Sequence, residues 1–154
     1  EHACLYCEDL GVLISGDQVL PRISSNVSVF PTEPEANPLG DWVHSLRTLK
    51  HEVPNNVLVL PSHNECFRGL HERIDYLERH HHESLDRLRD ALSTPKRVVD
   101  TFQALFGRLI DGATQHSLAT GESLAHLNYL IHRDEIEATI GKDGVTWYRQ
   151  APTG

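Results

Sequence analysis

The chain contains no methionine, only three cysteines among 154 residues, and aromatic side chains at 6%. Without methionine it has no initiator of its own, and we read it as a processed product or a portion of a longer protein. The odd cysteine count argues against a disulfide framework, and no charged-then-apolar signal segment opens the chain, so a cytoplasmic location is the expectation. Long hydrophobic runs are missing too. The longest, near residues 57–60, falls far short of the roughly 20 residues of a membrane span, and no membrane partner is expected. Basic residues are scarce, 14 Lys plus Arg against 22 Asp plus Glu for a formal charge of −8, which leaves no positive field for holding nucleic acid non-specifically. What remains is an ordinary globular mixture, 39% hydrophobic and 23% charged, sized for one mid-sized domain or two small ones.

Residues 2–14 are rich in Leu, Val, Ile, Cys and Tyr and are broken by Glu8, Asp9 and Gly11, which predicts two short buried strands joined by a turn at residues 8–11. Residues 23–30 alternate weakly, and Pro31, Pro34 and Pro38 then forbid regular structure, as expected of a surface loop. Asp41 is a candidate N-cap for a helix bearing Trp42, Val43, Leu46 and Leu49 and stopped by Pro54; a compact strand at 57–60 follows. Strand, loop, helix, strand is the order of an α/β unit.

From Leu70 the period changes. Leu70, Ile74, Leu77, His81, Leu85, Leu88 and Leu92 recur at three- and four-residue steps and mark one face of a long amphipathic helix. Thr94 and Pro95 are read as the start of a second helix with Val98, Val99, Phe102, Leu105, Phe106 and Leu109, fraying at Gly107 and Gly112. A third helix carries Leu118, Leu124, Leu127, Tyr129, Leu130 and Ile131. Two strands around the Gly141–Gly144 turn then close a hairpin, and helices ending on a hairpin read as a winged-helix-like module.

Asp17 lies just past one apolar strand, and His63, in Ser62-His63-Asn64, just past another. Strand ends are where α/β folds present catalytic and metal-binding groups, although an Asp in such a turn also hydrogen-bonds its own backbone. The run Glu1-His2-Ala3-Cys4-Leu5-Tyr6-Cys7, then Leu13-Ile14-Ser15-Gly16-Asp17, and later Val57-Leu58-Val59-Leu60-Pro61-Ser62-His63, resembles the middle and later part of a metallo-β-lactamase-fold hydrolase, the superfamily that includes glyoxalase II. Gly121-Glu122-Ser123-Leu124-Ala125-His126-Leu127 and the turn before Trp147-Tyr148 resemble a β-lactamase-like subgroup with an added winged helix.

The resemblance implies a dinuclear zinc site in which Asp17 bridges both ions and His63 binds the second, with hydroxide attacking a thioester, an ester or lactone, or a phosphodiester. His2 matches the second histidine of the family's His-Thr-x-Gly-His run, and the ligand proper would lie four positions earlier. The His-x-His-x-Asp-His motif that supplies most remaining ligands has no counterpart among the eleven histidines. The implied whole is therefore a hydrolase of which this chain is the C-terminal half, inactive alone and expected to bind zinc weakly or not at all. The fold expected is α/β, a partial αββα half-fold over residues 1–69, followed by a connecting helix over 70–93 and the winged-helix-like module over 94–154. Half of a sandwich leaves an apolar sheet face and strand edges uncovered, so a homodimer or association with the missing half is expected.

Other patterns carry weaker readings. Cys4, Cys7, His63 and Cys66 have the arithmetic of a Cys₃His zinc site, but strand positions three apart point to opposite faces, and buried apolar cysteines are the alternative. His80, His81 and His82 fan out around a helix by roughly 100° per residue, as on a solvated face. Asn64 and Arg68 are candidate substrate-side residues at the mouth of the site, with Arg68 able to meet an anion; helix capping by Asn64 and a plain surface arginine are the alternatives. In the third helix Glu122, His126, Asn128 and Asp134 face only His132 and Arg133, too little positive charge to read DNA, so a structural or substrate-shaping cap is expected. A non-catalytic binding module acting through the winged helix is the competing function.

Overall fold

The computed structural model describes residues 2–152; Glu1, which opens the run quoted above, lies outside the described residues. It divides into two compact units, one holding residues up to Ser25 together with Asp41–His80, the other Asn26–Gly40 and the chain from His81 onward. Among the described residues the fold is mixed α/β, with four α-helices and two small sheets.

In the first unit β1 (Leu5–Cys7) and β2 (Val12–Gly16) form an antiparallel hairpin, turned at Glu8–Gly11 by a Gly11 N–H to Glu8 carbonyl bond of 3.0 Å. β3 (Leu58–Pro61) adds parallel to β2, giving the order β1-β2-β3. A parallel neighbour demands a crossover, and helix α1 (Pro38–Glu52) lies within it. Leu13 and Val59 pair across the ladder and are fully buried. The other side is different. Leu5, Ile14 and Leu60 share one register row and Cys7, Val12 and Leu58 another, so that side is apolar, yet Leu5 is 65% and Ile14 48% exposed. The two strands expected to be buried are thus half right, for β1 is exposed along its whole length.

Helix α1 begins four residues earlier than its sequence signals suggest, capped by Asn37 rather than Asp41. The Asn37 carboxamide oxygen accepts the Gly40 N–H at 3.1 Å, and Pro38 occupies the first turn, where its fixed φ and missing N–H cost nothing; Asp41 is therefore inside the helix. Leu39, Trp42, Val43 and Leu46 form its buried stripe. Helix α2 (Leu70–Ala91) follows the expected period closely, with Leu70, Ile74, Leu77, His81, Leu85 and Leu88 all buried. Its first turn is capped from a distance. The Asn55 side chain accepts the His71 N–H at 2.8 Å and donates to Glu72 at 3.0 Å. Asn64 does not cap it; its φ of 66° instead makes a left-handed turn after His63.

In the second unit the expected long helix after Pro95 is only a 3-10 turn (Val98–Thr101) and a five-residue helix α3 (Phe102–Phe106) ended by Gly107 in the left-handed conformation. Thr94 and Pro95 do not start it, because Lys96 exchanges both backbone hydrogen bonds with Tyr148 at 2.9 and 2.8 Å and so extends the hairpin. The start falls instead at Arg97, whose N–H and guanidinium both bond Asp100. Those contacts hold the Asp100 carboxyl at about 2, well below its usual range. Leu109, expected on the apolar stripe, is 89% exposed. Helix α4 (Ala113–Ile131) precedes β4 (Ile136–Ile140) and β5 (Thr146–Gln150), paired as the Gly-Lys-Asp-Gly turn predicts.

Residues 23–30 do alternate in burial at Val27 and Val29 but find no strand partner. Val29 donates instead to the Gly121 carbonyl on α4 at 3.0 Å. The approach is close enough that a Cβ at Gly121 would lie 2.8 Å from Ser28 Cβ, which accounts for glycine inside this helix.

Candidate metal centre

Strands β2 and β3 run parallel, so their C-terminal ends open on the same edge of the sheet, the position at which α/β folds hold ligands. Asp17 leaves the end of β2 after Gly16, whose φ of 53° and accompanying register shift turn the chain out of the ladder. His63 leaves the end of β3 one residue after Ser62, and the Ser62 N–H continues the ladder by donating to the Gly16 carbonyl at 3.1 Å. The two side chains meet. His63 Nε2 lies 3.5 Å from Asp17 Oδ1, and both groups are solvent-accessible. Ser62 also donates its hydroxyl to Asp17 Oδ1, while the buried Ser25 hydroxyl donates to the Asp17 main-chain carbonyl.

Two donors on one tetrahedral zinc, with bonds of about 2.0 Å, stand about 3.3 Å apart. The carboxylate and imidazole therefore fit a share of such a site in donor chemistry and in separation. Among the described residues no group of three or more His, Cys, Asp and Glu side chains gathers to hold an ion, whereas zinc centres take at least three protein ligands. The Cys₃His arrangement is not formed. Cys7 and Cys66 are exposed rather than buried, and the Cys4 thiol donates to the Ser15 carbonyl at 3.6 Å, with burial pushing that thiol up.

The other candidates separate. Asn64 is exposed beside His63. Arg68 is not at the mouth of the site, because the chain doubles back after His63 and Phe67 pairs with Val59; Arg68 then donates to the Asn56 carbonyl at the opposite end of β3. Glu65 forms an ion pair with Arg22 at 2.5 Å, which holds its carboxyl below the usual range.

Some chemistry-bearing residues escaped the sequence reading. His81 is not on a solvated face. It and His126 are each 3% exposed, with Nδ1 and Nε2 3.2 Å apart and rings stacked at 5.3 Å. Because His126 Nδ1 lies 2.9 Å from the Glu122 carbonyl, which can only accept, Nδ1 carries a proton, and in the neutral ring Nε2 is left to accept from His81. Burial pushes the Glu122 carboxyl up to about 7, against the opposing effect of an Asn26 amide that donates to it at 3.2 Å. Asn128 is buried and donates to the Pro34 and Ala36 carbonyls at 2.8 Å each. Three of the four α4-region residues considered for DNA reading are thus engaged within their own unit.

Residues 85–151 match the family model of the metallo-beta-lactamase-like C-terminal domain. Across nearly its whole length the chain is also similar to two solved structures. One is a beta-lactamase domain protein from Burkholderia ambifaria, with a TM-score of 0.92 and 44% identity over 96% of this chain and 44% of that one. The other is a metallo-beta-lactamase family protein from Thermus thermophilus, with a TM-score of 0.80 and 30% identity over 97% of this chain and 45% of that one. The chain therefore spans less than half the length of either. A comparison with curated proteins finds no match. No helix among the described residues is long and apolar enough to cross a membrane.

Proposed function

We propose that this chain is the C-terminal part of a dinuclear zinc hydrolase of the metallo-β-lactamase superfamily. The observation that carries the reading is the meeting of Asp17 and His63, 3.5 Å apart at the ends of two parallel strands. Asp17 has two carboxylate oxygens and suits a bridging position, while His63 supplies a neutral imidazole to the second ion. The ions, when bound, supply an activated water and polarise the bond to be cut, in a thioester, an ester or lactone, or a phosphodiester. Asn64, exposed beside His63, is the substrate-side residue of this chain.

The apolar side of the sheet, with its Leu5, Ile14 and Leu60 row, supports the further reading that the missing half packs there, and that in its absence two copies associate. The chain by itself does not hydrolyse substrate, since two donors fall short of a catalytic site. The order α3, α4, hairpin supports a winged-helix-like module that shapes the enzyme rather than reads DNA, because His126 and Asn128 of α4 are buried. The test is made in the longer protein. Its turnover of thioester, lactone and phosphodiester probes is compared with that of Asp17→Ala; loss of all turnover is expected, and undiminished turnover overturns the assignment.

A further inference from the structure

Resting on that reading, we propose that Ser62 is a positioning residue that sets the orientation of the Asp17 carboxylate before any ion arrives. An exposed aspartate rotates readily, because the torsion to its carboxylate is broad and roughly two-fold. Here the Ser62 hydroxyl donates to Oδ1, the same oxygen that lies 3.5 Å from His63 Nε2, so one carboxylate oxygen is fixed between its two strand-end neighbours. The main chain on either side is anchored separately. Ser62 N–H holds the Gly16 carbonyl at 3.1 Å, and the buried Ser25 hydroxyl holds the carbonyl of Asp17 itself.

The two serines therefore have different duties. Ser25 is buried and fixes the backbone of the turn; Ser62 is exposed, so its hydroxyl adds little to stability, and its effect is felt in where the carboxylate points. Holding a ligand in place ahead of binding is the recognised contribution of hydrogen-bonding groups behind a metal site, and losing one weakens affinity by roughly 10- to 100-fold. Sequence alone assigns Ser62 no such duty, because nothing in the run that ends the strand shows that its hydroxyl reaches a residue 45 positions away.

The experiment compares wild type, Ser62→Ala and Ser62→Thr by two readouts. The first is the Asp17 side-chain ¹³Cγ resonance of the zinc-free chain, assigned by its disappearance in Asp17→Asn. The second is the midpoint of a Zn²⁺ titration of the longer protein. Ser62→Ala should move the resonance and raise the midpoint about tenfold or more. Ser62→Thr, which keeps the hydroxyl, should restore both, and Tm should stay within about 2 °C throughout. An Asp17 resonance unmoved in Ser62→Ala overturns the proposal, as does a threonine variant that behaves like the alanine one. If the longer protein takes up no zinc, the zinc reading fails while the carboxylate resonance still decides the role of Ser62.

Discussion

Replacing Glu122 by Gln should stabilise the chain, and by an amount that grows with pH. In the folded protein burial pushes this carboxyl from 4.5 up to about 7, so the native state holds its proton more tightly than the unfolded chain. For a raised pKa the contribution to stability is complete below the unfolded value, declines as pH climbs from about 4.5 to about 7, and is flat above. The full shift corresponds to about 3 kcal/mol at 1.36 kcal/mol per unit. Because the side chain keeps some access to water, we expect about 1–3 kcal/mol. Glutamine keeps an oxygen able to accept from Asn26 and carries no charge to desolvate. Urea unfolding of wild type and Glu122→Gln at pH 5, 6, 7 and 8 supplies the measurement. The gap should be small at pH 5 and reach its full size by pH 8. A gap independent of pH would refute the argument.

Gly121→Ala sets two effects against each other: alanine gains about 1 kcal/mol of helix propensity, but its Cβ would fall 2.8 Å from Ser28 Cβ. Forcing the 27–29 segment away costs about 1–3 kcal/mol, so a net loss of stability is expected, recovered in the Gly121→Ala, Ser28→Gly double variant; equal losses in both would show that the close approach is not the cause. Asn55→Ala removes the distant cap of α2 and should cost about 1 kcal/mol, or about 2–4 °C in Tm, whereas an unchanged Tm would deny the cap any energetic role.

The elements differed in how much of them could be read in advance. The α2 stripe was legible because its apolar residues repeat locally at helical spacing, and the hairpin because Gly141–Gly144 is a turn signal in four consecutive residues. The cap of α1 was misplaced when Pro38 was taken as a breaker; in a first turn it is compatible with the helix. Asp17 and His63 were legible by resemblance, and the parallel register accounts for their meeting. Arg68 was placed wrongly because proximity in sequence to His63 gave no sign of the reversal that pairs Phe67 with Val59. Ser62, Asn55 and the His81–His126 pair share one trait, in that each acts on a partner at least 16 residues away, and no local pattern announces such contacts.

The central claim is that Asp17 and His63 form one part of a zinc site. Titration of the longer protein with Zn²⁺ followed by calorimetry, beside Asp17→Ala and His63→Ala, tests it most directly. Saturable uptake of about two ions, weakened in each variant, is the predicted result. No saturable uptake, or uptake undiminished in both variants, would contradict the account.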